Sequence, residues 1–157
     1  MGVTEEELMR RAIALSAEAA GQGGGPFGAV VARQGRILGE GRNQVVPGRD
    51  PTAHAEVMAI RAACTELGTH DLTGATLYTS CEPCPMCLGA AWWARIGRIV
   101  HGNDREDAAA IGFDDHAIYD EVARPHDARH LPLRRLLRAE ALAVFEAWHA
   151  DPARARY

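Results

Sequence analysis

The chain has 157 residues, of which 47% are hydrophobic and 24% are charged, and its formal net charge is −4. These values are typical of a soluble globular domain and exclude disordered and fibrous classes of protein. No apolar run reaches the ~20 residues that a membrane-spanning helix needs. The first residues are acidic and then amphipathic, unlike a signal peptide. We therefore expect one cytoplasmic domain over residues 1–157, with no membrane partner.

Helices and strands alternate along the sequence, which favours a layered α/β fold. Thr4 and Glu7 fit a capping box that opens a first helix, and apolar residues follow it at helical spacing. The region 102–130 is expected to be irregular with short helical pieces. The other predicted elements are strands at 27–32, 36–38, 75–79, 97–101 and 131–137, helices at about 53–66 and 85–95, and a final amphipathic helix around residues 141–148.

Three of the four cysteines lie within seven residues, as Cys81, Cys84 and Cys87. In a chain without an export signal, this crowding indicates metal or redox chemistry in a reducing compartment. Cys84 and Cys87 are spaced i, i+3 at a predicted helix start, where exposed N–H groups and the helix dipole favour thiolates. Two thiolates on one helical face are good zinc ligands.

A catalytic zinc site needs a third protein ligand and an open position for water. His54 is the candidate third ligand, and Glu56 is the nearby acid. On a helix these two side chains would point about 200° apart, so they can share a site only at the end of the helix. Two alternatives remain open: Cys81 could close a structural zinc site as a fourth ligand, or a CxxC pair could be a redox pair.

The order His54-x-Glu56, 26 residues, then Pro83-Cys84-x-x-Cys87 resembles the signature of the zinc-dependent cytidine-deaminase superfamily. Within that superfamily, the whole chain is most similar to the bacterial guanine deaminases. The first three matching blocks recur in looser form in tRNA adenosine deaminases, whereas the last block and the terminal tyrosine favour the guanine branch. The similarity is carried by GGPFGAVV (24–31), DPTAHAEV (50–57), LYTSCEPCPMCLGA (77–90), GFDDHAIYDE (112–121) and Tyr157.

The resemblance implies a fold, a cofactor and a reaction. It implies a three-layer α/β/α domain around a five-stranded mixed sheet, with one zinc ion per subunit held by His54, Cys84 and Cys87. It also implies an aminohydrolase for cyclic amidines, in which a zinc-activated hydroxide attacks the ring carbon. Glu56 would move the protons, and Asp115 would act with it as a second shuttle.

The resemblance further implies the substrate contacts and the assembly. A homodimer is expected, with a C-terminal segment of about 138–157 exchanged between subunits. The last residue would then close the site of the neighbouring subunit. The implied substrate contacts are Phe27, Asn43, Ala55, Trp93 and, from the neighbour, Tyr157.

Guanine is accordingly the expected substrate, converted to xanthine and ammonia. The alternatives are a related nucleoside or base such as guanosine or cytosine, adenosine in tRNA, and a zinc-stabilised binding module with no activity. A nucleic-acid partner usually requires a basic surface, and the net charge of −4 counts against one. Seven arginines after residue 121 keep the tRNA alternative open.

Overall fold

The computed structural model describes residues 2–113 and 115–156. The chain divides into two compact units, one up to residue 115 and one from residue 116. The first unit contains α1 (Glu5–Gly21), β1 (Gly28–Arg33), β2 (Arg36–Arg42), α2 (Val45–Gly48), α3 (Ala55–Leu67), β3 (Thr76–Cys81), α4 (Pro85–Trp93), β4 (Arg98–Asn103) and α5 (Arg105–Ala110). The second unit contains α6 (His116–Ala123), a 3₁₀ turn (His126–Ala128) and α7 (Arg138–Ala150).

The strands form one mixed sheet in the order β2-β1-β3-β4. β1 runs antiparallel to both β2 and β3, whereas β3 and β4 run parallel. A tight turn joins the first two strands, in which Gln34 and Gly35 both have positive φ angles, 52° and 73°. Such a turn matches the right-handed twist of a hairpin.

Helices cover both faces of the sheet, as the alternation of side chains along β1 requires. Val30 and Ala32 pack with the apolar stripe of α1, which begins with the predicted capping box of Thr4 and Glu7. Ala29 and Val31 lie in a second core cluster with residues of α3 and α4. The predicted three-layer α/β/α arrangement is therefore present in the first unit.

Two glycines of β2 let α3 lie directly on the sheet. A Cβ atom at Gly41 would lie 2.1 Å from the carbonyl oxygen of Ala55 and 2.4 Å from the amide nitrogen of Ala59. One at Gly39 would lie 2.4 Å from the backbone of both Ala59 and Ala63. No side chain fits at such distances, so these glycines fix the depth at which the N-terminal turn of α3 rests.

The predicted five-stranded sheet is wrong, because the described residues form four strands. Residues 131–137, expected as the fifth strand, form neither strand nor helix. This leucine-rich segment was expected to be a strand, yet Leu131 is 76% exposed and Leu133 58%. Pro132 between them has no N–H for a ladder hydrogen bond.

The final helix was predicted correctly and has an apolar face that its own unit leaves open. Val144 and Phe145 of α7 are 67% and 74% exposed, and Trp148 is 48% exposed. Among the described residues, no helix combines the length and apolar character needed to cross a membrane.

Candidate metal centre and active site

The N-terminal ends of α3 and α4 bring three potential metal ligands together. His54 is the N-cap residue of α3, Cys84 is the N-cap residue of α4, and Cys87 lies in the first turn of α4. The His54 Nδ1 atom lies 3.6 Å from the Cys84 Sγ atom and 3.4 Å from the Cys87 Sγ atom. All three ligand atoms lie within 4.8 Å of one another.

This geometry fits zinc. Tetrahedral zinc with ordinary Zn–N and Zn–S bond lengths separates a nitrogen and a sulfur ligand by about 3.5 Å. The two observed nitrogen–sulfur distances of 3.4 and 3.6 Å bracket that value. One imidazole and two thiol groups also form a donor set that binds zinc in preference to magnesium or calcium.

Cys81 does not join the cluster. Its Sγ atom instead donates to the backbone carbonyl of Asp104 at 3.5 Å. Burial raises the pKa of the Cys81 thiol to about 11, and the charge of Glu56 adds to that rise. Within the described ranges 2–113 and 115–156, the residues placed to hold a metal ion are His54, Cys84 and Cys87, so the cluster has three protein ligands and not four.

One thiol of the cluster is more acidic than an ordinary cysteine. A hydrogen bond from Cys87 lowers the pKa of Cys84 to about 4 against the effect of burial, and His54 adds to the lowering. The same contact with Cys84, together with burial, raises the pKa of Cys87. The hydrogen bond to Cys84 also raises the pKa of His54. The cluster is thus prepared to hold a cation on ligands that are partly ionised.

Glu56 lies beside the ligands with its carboxyl group buried. The residue is only 6% exposed, and burial raises the pKa of its side chain. Its Oε2 atom lies 3.5 Å from the Cys87 Sγ atom, and its Oε1 atom lies 3.4 Å from the Thr79 hydroxyl. His54 and Glu56 do not point in opposite directions, as they would within one helix. His54 has extended backbone angles (φ −68°, ψ 152°) and precedes α3.

Asp115 lies close enough to Cys81 to influence the pKa of its thiol. Its charge raises the pKa of Cys81, as that of Glu56 does, so both carboxyl groups act on this one thiol. The Oδ1 atom of Asp115 is buried and has no hydrogen-bond partner among the described residues. A buried acceptor without a partner costs stability, which is typical of a group that a ligand satisfies.

The residues expected to contact the substrate differ in placement. The Asn43 side-chain carbonyl accepts hydrogen bonds from the amides of Gly25 and Val45, at 3.3 and 3.2 Å, which turns its NH₂ group away from them. Phe27 packs edge-to-face on Phe113 with ring centroids 4.9 Å apart. Both Asn43 and Phe27 belong to the first unit, as the cluster does.

The other three residues expected to contact the substrate lie in different parts of the chain. Ala55 is the first residue of α3 and is fully buried next to His54. Trp93 ends α4, about 13 Å along the helix from Cys84 by the usual rise per residue, and is 70% exposed. The structure does not bring Trp93 to the cluster. Tyr157 lies outside the described residues.

The sequence alone did not single out Thr79, which contacts Glu56, or Glu82, which lies two residues before Cys84 in the chain. Glu82 accepts hydrogen bonds from the Arg105 backbone amide at 3.1 Å and from its guanidinium at 2.7 and 3.1 Å. This contact ties the segment before Cys84 to the start of α5. A carboxylate directly before a zinc-ligand motif was visible in the sequence, but its partner 23 residues later was not.

Comparison with known proteins places these residues in a family. Residues 3–103 match the family model of the cytidine and deoxycytidylate deaminase zinc-binding region. Guanine deaminase of Bacillus subtilis is 48% identical over 147 residues, covering 93% of this chain and 94% of the relative. The tRNA-specific adenosine deaminase of Haemophilus influenzae is 41% identical over 118 residues, covering 71% of this chain and 68% of the relative.

The fold is shared along the whole chain. The X-ray structure of guanine deaminase from Bacillus subtilis superposes with a TM-score of 0.95 at 46% sequence identity, covering 99% of each chain. With its His–Cys–Cys cluster at the ends of α3 and α4, the chain therefore belongs to the cytidine and deoxycytidylate deaminase zinc-binding family, in which it is a homologue of guanine deaminase.

Proposed function

We propose that this protein hydrolyses guanine to xanthine and ammonia. The observation that carries the proposal is a three-ligand cluster with a buried carboxyl group at its edge, in a chain similar to guanine deaminase over almost its whole length. A structural zinc site normally has four protein ligands. A three-ligand site with an acid beside it is the arrangement that hydrolytic chemistry requires.

His54, Cys84 and Cys87 would hold one zinc ion per subunit. When bound, zinc lowers the pKa of a coordinated water toward 7 and so supplies hydroxide at neutral pH. The proton affinity of the carboxyl group is then the main requirement on the protein. Burial raises the pKa of the Glu56 side chain, which favours a carboxyl group that can both take a proton and return it.

Glu56 and Asp115 would divide the proton transfers. Glu56 would take the proton released from water and deliver it to a ring nitrogen of the purine and then to the leaving amine. Asp115 would serve as the second shuttle and as a guanine contact. The partnerless Oδ1 atom of Asp115 supports this role, because the N–H groups of guanine are donors of the kind that it lacks.

The base would bind between groups that orient it by hydrogen bonds and by stacking. The Asn43 amide, held by two backbone donors, would donate to a purine acceptor. Phe27 would pack against the ring plane, and Ala55, next to His54, would complete the lining. These contacts suit a flat bicyclic base, for which a small number of fixed polar groups decides orientation.

We further propose a cytoplasmic homodimer of a single deaminase domain, in which residues of about 138–157 are exchanged between subunits. The open apolar face of α7 supports this assembly, since exposed Val144, Phe145 and Trp148 call for a partner surface. Tyr157 would then reach the site of the other subunit.

A panel of substrates tests the proposal. Ammonia release is measured for the zinc-loaded protein with guanine, guanosine, adenine, cytosine, cytidine and tRNA, and the expected result is a clear preference in kcat/KM for guanine. Equal or higher activity on tRNA would favour the adenosine deaminases, to which the chain is also similar. Zinc binding without ammonia release from any substrate would point to a structural module.

A further inference from the structure

Thr79 is a buried polar residue in a place where an apolar one would pack equally well. It lies in β3, with Ala29 of β1 and His101 of β4 as its ladder partners, and it is only 1% exposed. Central strands that are covered on both faces are ordinarily rich in valine, isoleucine and leucine. Valine has nearly the shape of threonine, so packing alone does not explain the hydroxyl.

The hydroxyl has two neighbours. The Thr79 Oγ1 atom lies 2.9 Å from the backbone carbonyl oxygen of Cys81 and 3.4 Å from the Oε1 atom of Glu56. A threonine hydroxyl has one hydrogen to donate and lone pairs to accept with. One hydroxyl group therefore bridges the Cys81 carbonyl and the Glu56 carboxyl group.

The other side of the Glu56 carboxyl group faces the metal cluster. Its Oε2 atom lies 3.5 Å from the Sγ atom of Cys87. Cys87 belongs to the proposed ligand set and is committed to the metal when zinc binds. Within the described part of the chain, Thr79 is then the side chain outside the ligand set that hydrogen-bonds this carboxyl group.

We propose that Thr79 is the positioning residue for Glu56. It holds the Oε1 atom of Glu56 next to β3, so that the Oε2 atom faces the cluster. The inference rests on the proposed role of Glu56 in proton transfer. Because β3 is hydrogen-bonded on both sides, the hydroxyl is held by a rigid backbone, as a supporting residue in an active site should be.

Substitutions at Thr79 separate the hydroxyl from the methyl group. Thr79→Val keeps the shape and removes the hydroxyl, whereas Thr79→Ser keeps the hydroxyl and removes a methyl group. We expect Thr79→Val to lower kcat for guanine by about 10- to 100-fold, as loss of outer supporting residues does at metal sites. KM and zinc content are expected to remain unchanged, and Thr79→Ser should keep most of the wild-type kcat.

A merely structural residue gives the reverse order, because Thr79→Ser then leaves a void and Thr79→Val does not. Thr79→Ala compared with Thr79→Ser removes only the hydroxyl and decides the matter if the valine variant does not fold. Thr76→Val, at the other end of β3, is the matched control and should keep wild-type kcat. Wild-type kcat in Thr79→Val, or equal losses in the serine and alanine variants, would overturn the inference.

Glu56→Gln distinguishes this inference from the proposed function. An inactive Glu56→Gln protein with a fully active Thr79→Val protein leaves the role of Glu56 standing and refutes the role of Thr79. Normal turnover by zinc-loaded Glu56→Gln would remove both roles.

Discussion

The proposed chemistry of this protein depends on single residues at the starts of α3 and α4. His54 and Cys84 are both N-cap residues with extended backbone angles, so their side chains leave the helices at the ends and converge. Glu56 and Cys87 follow within the first turns and lie 3.5 Å apart. Ordinary helix geometry separates side chains at i and i+2, and His54 and Glu56 share a site here because His54 precedes α3.

The hydrogen bond of Cys81 to the Asp104 carbonyl predicts that this cysteine is dispensable for metal binding. We expect Cys81→Ser to bind zinc at the wild-type stoichiometry, since serine keeps a donor for that carbonyl. Cys84→Ser should lose zinc, because a neutral hydroxyl replaces the most acidic thiol of the cluster. Metal analysis of the purified variants measures both. Loss of zinc from Cys81→Ser would mean that the site is closed by a fourth ligand.

A second residue-scale prediction concerns stability in acid. Glu40 accepts hydrogen bonds from the Arg11 guanidinium at 2.8 Å, which lowers the pKa of Glu40 below its ordinary 4.5. A carboxyl group with a lowered folded-state pKa stabilises the protein above its unfolded-state pKa, and this contribution disappears as pH falls through the folded value. Both side chains are about one-third exposed, so about 0.5–1 kcal/mol is expected.

Urea unfolding of the wild type and Glu40→Gln at several pH values measures this contribution. The free energies of unfolding should differ at pH 7 and converge as the pH falls through the lowered pKa of Glu40. A difference that persists unchanged in acid would show that the contribution of Glu40 does not depend on its charge.

At the scale of elements, the packing of α3 on β2 places the histidine and the acid together. Gly39 and Gly41 allow the helix backbone to touch the strand, and the N-terminal turn of α3 holds Ala55 above Gly41. The sequence showed glycines in a strand, which often mark a close approach of another backbone. It did not show which element approaches, because that contact is set by the tertiary fold.

Gly41→Ala should displace the start of α3. Its Cβ atom would lie 2.1 Å from the carbonyl oxygen of Ala55, and overpacking of this kind costs about 1–3 kcal/mol or more. We expect a lower melting temperature and weaker zinc binding in the same variant. Gly21→Ala is the control, since its Cβ atom meets nothing within 4 Å. Equal zinc affinity in Gly41→Ala and wild type would contradict the proposed positioning.

Most elements of the first unit could be predicted because their signals are local. The capping box of Thr4 and Glu7 marked the start of α1, and Pro85 marked the start of α4. The prediction of a strand at residues 131–137 was wrong, because a short leucine-rich segment does not reveal whether a partner strand exists. The predicted second strand ended at residue 38, whereas β2 continues to Arg42. The prediction stopped early because the glycines at 39 and 41 lower strand propensity.

For the site, the spacing of His54, Glu56, Cys84 and Cys87 predicted which residues would gather. The supporting contacts could not be predicted in this way. Thr79 reaches Glu56 across 23 positions, and nothing in the local pattern of β3 distinguishes a supporting threonine from a packing one. Asp115 was singled out only through the resemblance. An aspartate in an acidic stretch is usually solvated, so the sequence pattern alone does not indicate a role for it.

At the scale of the whole molecule, the proposed exchange of the C-terminal segment makes each active site depend on two chains. A mixing experiment tests it with two inactive proteins: Glu56→Gln has a complete tail and a dead site, and a variant lacking residues 150–157 has an intact site and no tail. In a mixed dimer, the tail of the first would complete the site of the second.

Co-refolding the two inactive proteins at equal amounts should therefore restore about a quarter of the wild-type rate, for random pairing into two-fold dimers. The control is to mix the two folded proteins without refolding them. This mixture should regain little activity if the exchanged segments are released slowly. Failure of co-refolding to restore any activity, with mixed dimers present, would show that the tail serves its own subunit.

The central claim is hydrolytic deamination of guanine, and its most direct test is product formation. Zinc-loaded protein is incubated with guanine, and xanthine and ammonia are measured in the same sample. Our account predicts that one xanthine appears for each ammonia and that Glu56→Gln, with zinc still bound, forms neither. Absence of xanthine from the zinc-loaded wild-type protein, or undiminished formation by Glu56→Gln, would contradict it.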